Sequence, residues 1–169
     1  EDALSVSFQP IQTLHADPKT VSTDIGGLLL YPGFTLVPSG TGKFKTIVED
    51  GEESVFLHAP ASIEFQPVPG HYRLRAVYGI QGIAIRDAGC VRAKPDGVGV
   101  GAVVRRGDQE IEVAHEQIDP FHVPRDAGPH TLQVAGFDVE PGDVVEYRVD
   151  AGPAGNNTSC DWTYVRDVA

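Results

Sequence analysis

The sequence predicts an all-β fold, an antiparallel β-sandwich of jelly-roll type with little helix. Three observations predict it. About ten short segments alternate apolar and polar residues with the period of two that a half-buried strand requires. Turn formers, drawn from 19 Gly and 13 Pro, interrupt these segments roughly every 8 to 12 residues. No stretch sustains a 3.6-residue apolar period between helix caps.

Each element follows from its residues. Leu4, Val6 and Phe8 alternate with Ser5, Ser7 and Gln9 until Pro10, which cannot donate to a ladder, so a strand ends there. The polar stretch through Asp24 reads as a connection. Ile25 to Tyr31 is apolar or Gly throughout and stops at Pro32-Gly33, as a short buried strand would. After the turn-forming PSGTGK, Phe44 to Val48 makes the next strand. The acidic run Glu49-Asp50-Gly51-Glu52-Glu53 then turns the chain into Val55-Phe56-Leu57. Ile63 with Phe65, and Tyr72, Leu74, Ala76 and Tyr78, form two strands joined by PVPG, with His71, Arg73 and Arg75 on the wet face.

Gly79 to Pro95, which contains Cys90, reads as a loop. DGVGVGAVVRRGDQEIEVAHEQI reads as a hairpin about Gly107-Asp108, with Val98, Val100 and Ala102 or Val103 inward, and Ile111 and Val113 on the return. Gly97, Gly99 and Gly101 strip one face of its first strand, so a bulky neighbour, either a second sheet or a ring, is expected against them. Their spacing differs from the dinucleotide fingerprint and no helix follows, which sets a nucleotide site aside. A Pro-rich connection, DPFHVPRDAG, leads to three last strands at Thr131 to Ala135, Asp143 to Val149 and Trp162 to Val168.

At 169 residues the chain suits a single domain over 1–169, since a chain this long buries about two-thirds of its unfolded surface without staples. Residues 1–62 read as an N-terminal extension or added strands and 63–168 as the core of the module. The chain lacks Met and opens on Glu1, as a processed mature form or an excised domain would. Cys90 and Cys160 are its two cysteines. They allow one disulfide or two separate buried thiols.

Twenty-four acidic against 13 basic residues give a formal charge of -11. That charge repels phosphate backbones, which argues against nucleic acid or anionic lipid and leaves neutral sugars or a cationic surface. No apolar run approaches the roughly 18 to 20 residues that span a bilayer, so membrane insertion is not expected. The run Glu49 to Glu53 offers hard oxygen donors around a Gly, a composition suited to a structural Ca²⁺, but it lacks the ligand register of an EF-hand loop and reads first as a solvated hairpin tip. No other cofactor is expected. The six histidines, His15, His58, His71, His115, His122 and His130, are scattered without metal-site spacing. No G-x-S-x-G elbow is present.

A binding site is easier to argue. Sugars present an apolar C–H face edged by hydroxyls, which proteins meet with an exposed ring and a few amide or carboxylate groups. Asn156, Asn157, Asp161, Trp162 and Tyr164 offer those groups within nine positions, and Trp162 is the only Trp. Two residues apart on a strand, Trp162 and Tyr164 share a face. The competing reading makes both of them core aromatics and Asp161 a turn residue.

HYRLRAVYGI, then DGVGVGAVVRRG, then GPHTLQVAGFDVEPGDVVEYRVDAGPAGNNTSCDW resembles, in order and motif, the novel putative carbohydrate-binding module family. The likeness runs from Ile63 to Val168. Asp96-Gly97-Val98 falls on its D-G-V strand, Asn156-Asn157 on the loop before the last strand, and Asp161-Trp162 on its terminal D-W. Gly99 stands where an aromatic is usual, and 62 residues precede Ile63. The resemblance implies a β-sandwich that is exported, non-catalytic and attached to, or associated with, a larger carbohydrate-active or cell-envelope protein. Two rivals remain: a protein-binding assembly or adhesion module, expected to show a large exposed apolar patch, and a jelly-roll glycoside hydrolase or lyase, expected to converge two carboxylates in a groove.

Overall fold

A computed structural model describes residues 34–38, 45–155 and 157–168, with side chains from 45 onward. The expected strands at Leu4 to Phe8 and Ile25 to Tyr31 lie outside the described residues, as does Asn156. Among the described residues ten strands follow in order: β1 (Phe34–Pro38), β2 (Lys45–Glu49), β3 (Glu52–His58), β4 (Ala61–Phe65), β5 (Gly70–Ile80), β6 (Val98–Arg106), β7 (Gln109–Ile118), β8 (His130–Val139), β9 (Val144–Ala151) and β10 (Trp162–Arg166). They form two five-stranded sheets, in the orders β1-β4-β9-β6-β7 and β2-β3-β10-β5-β8. Every strand pair is antiparallel. This is the predicted β-sandwich.

Alternation decides which side chains meet between the sheets. Ile63, Phe65, Val98, Val100, Ala102, Val104, Val145, Tyr147 and Val149 face inward from the first sheet. Val55, Leu57, Leu74, Ala76, Tyr78, Ile80, Leu132, Val134 and Val165 face them from the second. The core therefore consists of the period-two positions that the sequence exposes to inspection. In the hairpin both candidates at 102 and 103 are buried, but on opposite faces. Ala102 joins the core cluster, and a bulge after it places Val103 on the outer face opposite Glu112. The extra residue on β7 is Val113, which is partly buried, whereas Ile111 stands exposed.

The turn chemistry also follows from sequence. Asp50-Gly51 sits between paired Glu49 and Glu52 with both φ angles positive, 53° and 80°. Such angles suit an Asp-Gly pair and match the twist of the flanking strands. Arg106, at the end of β6, reaches Asp143 with two nitrogens, and Asp143 also accepts from the Glu140 amide, which closes the β8–β9 turn.

One expectation fails. Gly79 to Pro95 is not a loop: β5 continues to Ile80, then helices α1 (Gly82–Arg86) and α2 (Ala88–Ala93) follow. Each is too short to show a 3.6 period. Asp87 caps α2, accepting from the amides of Gly89 and Cys90 at 2.8 and 3.0 Å. Cys90 on α2 is joined to Cys160, so α2 is anchored to the turn that precedes β10.

Candidate functional site

β10 lies between β3 and β5, and its alternation decides what each face offers. Thr163 and Val165 point into the sandwich, where the Thr163 hydroxyl donates to the Leu57 carbonyl at 2.7 Å. Trp162, Tyr164 and Arg166 therefore share the outer face. Trp162 pairs with His58 and Tyr164 with Phe56 on β3, while Gly79 lies opposite Tyr164 on β5.

Trp162 and Tyr164 share a face but not an exposure. Trp162 is half-buried, as are its neighbours His58 and Phe56. Tyr164 is sealed. Its ring lies against Gly79, its hydroxyl points at Asp50 of the β2–β3 turn at 3.5 Å, and the Arg166 guanidinium lies 5.6 Å from its ring centre. Arg166 is itself held by the Glu49 carbonyl, the Ser54 hydroxyl and Glu52. Burial, and then the Asp50 charge, push the Tyr164 phenol up. A stacking platform made of both rings is thus not what the structure presents. Its wet end is an aromatic strip of Trp162, His58 and Phe56, with the Lys45 ammonium 4.9 Å from the Phe56 ring centre.

The other candidates are placed as follows. Asn157 spends its amide on the loop, donating to the Lys94 carbonyl at 2.9 Å and accepting from the Ser159 amide at 3.1 Å. Asp161 is fully buried, with neither oxygen hydrogen-bonded. Burial, with Asp96 second, pushes its carboxyl up to about 8. The acidic hairpin tip turns three of its acids to protein donors: Glu49 accepts from the Gly82 amide at 2.8 Å, Asp50 faces Tyr164 and Glu52 faces Arg166.

The outer face of the first sheet is a charge ladder. Arg105 pairs with Glu64 and Glu146, and Arg148 with Glu146 and Glu110. The Arg148 partnership holds the Glu110 carboxyl below its ordinary value. Carboxylates tied to guanidinium groups are poor proton donors or nucleophiles, which weighs against a glycosidase pair there. Beyond the ladder, a ring does pack on the glycine face: a Cβ on Gly99 would lie 2.8 Å from the His115 Nε2. Asp150 lies 3.7 Å from the same point, and burial raises its carboxyl. Among the described residues no group of three or more His, Cys, Asp or Glu is disposed to hold a metal, and no helix is long and apolar enough to cross a membrane.

Two residues of interest escaped sequence reading. His58 was one of six scattered histidines until the β3–β10 register set it beside Trp162. Asp96 had a place in a motif, but only the fold brings its charge to bear on Asp161.

No family model matches the chain, and no curated protein matches it in sequence. Solved structures match its fold. The CBM22-2 xylan-binding domain of Xyn10C from Paenibacillus barcinonensis superposes with a TM-score of 0.52 at 8% identity, over 81% of this chain and 89% of that one. The chain therefore has the β-sandwich fold of a carbohydrate-binding module. The CBM22-1–CBM22-2 tandem of the same protein gives 0.49 at 14% identity over 80% of this chain, which spans 40% of the tandem. A CBM51-2 structure with GlcNAc, from Clostridium perfringens ZmpB, gives 0.39 at 17% identity over 81% of this chain and 30% of that one.

Proposed function

We propose that this chain is a non-catalytic carbohydrate-binding module, exported and carried by a larger carbohydrate-active or cell-envelope protein. One observation carries the reading. The only indole in the chain is half-buried, packed against the core on one side, and lies beside a second aromatic and a histidine that are also half-buried. An indole sealed as Tyr164 is could not reach a ligand, whereas Trp162 keeps part of its surface in solvent beside a strand floor that a sugar ring can lie along.

In this reading Trp162 stacks on the apolar face of a sugar, and His58 and Lys45 at the strip's edge bond its hydroxyls. Asn156, which precedes β10 in the sequence, supplies a further amide donor. Asn157, Asp161 and Tyr164 support the platform from within the protein and do not touch the sugar. The charge of -11 favours a neutral glycan over a uronate-rich one. The fold match to a xylan-binding domain makes xylan the first probe, and the resemblance to the novel putative carbohydrate-binding modules supports the same class of ligand.

The test is calorimetric titration of the chain with xylan oligosaccharides and a neutral glycan panel, repeated with Trp162→Ala. Binding by the parent and its loss in a folded variant support the reading. Equal binding by both, or turnover of chromogenic glycosides, contradicts it.

A further inference from the structure

The strip beside Trp162 presents its polar atoms in a fixed order of acceptor and donor. His58, directly opposite Trp162 in the β3–β10 register, places its Nδ1 2.9 Å from the Ala59 carbonyl oxygen. A carbonyl can only accept, so Nδ1 carries the proton of that bond. In the neutral ring Nε2 is therefore an acceptor, and among the described residues nothing bonds to it. The ring is half-buried, and a half-turn about its own axis would lose the Ala59 bond. What the neutral imidazole offers a ligand is one lone pair beside the indole.

Lys45 supplies the opposite chemistry at the far end of the strip. It pairs with Phe56, and its ammonium stands 4.9 Å from the centre of that ring. The ring gives the charge a resting place through a cation–π contact. No carboxylate does so: among the described residues Lys45 makes no ion pair, whereas Arg105, Arg106, Arg148 and Arg166 each lie against one. An ammonium has only N–H donors, and its hydrogen bonds to a carboxylate are about twice as strong as bonds between neutral groups. Strand order and register put Lys45 two strands across and two residues along from Trp162, roughly 12 Å between backbones. A short oligosaccharide covers that span.

We infer that the strip selects a neutral glycan bearing a single uronic acid branch over the same glycan without it. The inference rests on the reading of Trp162 as the stacking residue. The indole takes the apolar face of one sugar, a hydroxyl of that sugar donates to His58 Nε2, and the carboxylate of the branch lies against Lys45. His58 and Lys45 are then the residues that determine specificity. A sugar without the hydroxyl leaves the Nε2 lone pair unanswered, which costs affinity. A polyuronate is disfavoured, because one ammonium answers one carboxylate and the remaining charge meets a chain of net charge -11.

The test is calorimetric titration of the whole chain with two xylan oligosaccharides that differ only in one glucuronic acid branch, at low and at high salt. The branched ligand should bind about tenfold tighter at low salt, and the margin should shrink at high salt. Lys45→Met keeps an apolar stem over Phe56 and should cut the margin to about twofold or less. Arg75→Gln removes a charge from the exposed face of β5 and should keep it. His58→Gln can set an amide oxygen where Nε2 stood and should bind within about threefold of the parent, whereas His58→Asn replaces only the Nδ1 side and should weaken both ligands about tenfold. Melting curves show that each variant is folded. Equal affinity of the parent for the two ligands, a margin that survives in Lys45→Met or vanishes equally in Arg75→Gln, or full binding by His58→Asn, overturns the inference and leaves the glycan-binding reading standing. Binding of neither ligand by the parent overturns both.

Discussion

The ring of Tyr164 rests on Gly79 of the neighbouring strand. A Cβ added there would lie 2.6 Å from the phenol oxygen and 2.7 Å from the Gly128 carbonyl oxygen. Packed in this way, Tyr164 is sealed, while Trp162, two residues earlier on the same strand, is half-buried.

Gly79→Ala should therefore destabilise the chain. Neither a packed ring nor a backbone carbonyl yields cheaply, and overpacking of this kind costs about 1 to 3 kcal/mol. Urea unfolding should show a lower midpoint with an unchanged slope.

Two glycines of the β6 region should respond differently to the same substitution. At Gly97 φ is +84°, and a Cβ would lie 2.1 Å from the Ile118 carbonyl oxygen. At Gly99 its nearest contact is the His115 Nε2 at 2.8 Å, the end of an exposed side chain that can swing away. Gly97→Ala should cost more than about 3 kcal/mol, whereas Gly99→Ala should stay within about 1 kcal/mol. Parallel denaturation curves check the ordering.

The Cys90–Cys160 bridge spans 70 positions. Loop-closure entropy for a span of that length amounts to about 4 kcal/mol, at the upper end of what such bridges contribute. The Cys90→Ala, Cys160→Ala double variant should lose about 4 to 5 kcal/mol, because removing the bridge also leaves a small void at buried Cys90. Thermal melting of the pair of proteins measures it.

Asp161 makes stability pH-dependent. Its carboxyl is raised from 3.8 to about 8 by burial and by Asp96, so between those values the folded chain holds a proton that the unfolded chain has released. Stability should fall as pH rises through that window and level off above it. Melting from pH 5 to 9 should show the parent losing ground to Asp161→Asn. A constant gap between the two would contradict this.

The sandwich was legible because strands announce themselves by period two, and the core positions from Val55 to Val165 follow that alternation almost without exception. Helices α1 and α2 were not, since five and six residues carry no period, and the Asp87 cap is visible only in retrospect. The site was half legible. Composition marked Trp162, and alternation correctly put Tyr164 on its face. What alternation cannot say is what lies above that face, and Tyr164 is covered by Asp50, which lies 114 positions away in the chain. Asp161 reads as a polar group for a ligand. Its complete burial is set by tertiary packing, which no local pattern reveals.

The most direct measurement of the central claim is calorimetric titration of the chain and of Trp162→Ala with xylan oligosaccharides and the neutral glycan panel. The account predicts saturable binding by the parent and at least a tenfold weaker association in the variant, about 1.4 kcal/mol or more, with its melting still cooperative. Unchanged affinity after removal of the indole, or no glycan bound by the parent, would contradict it.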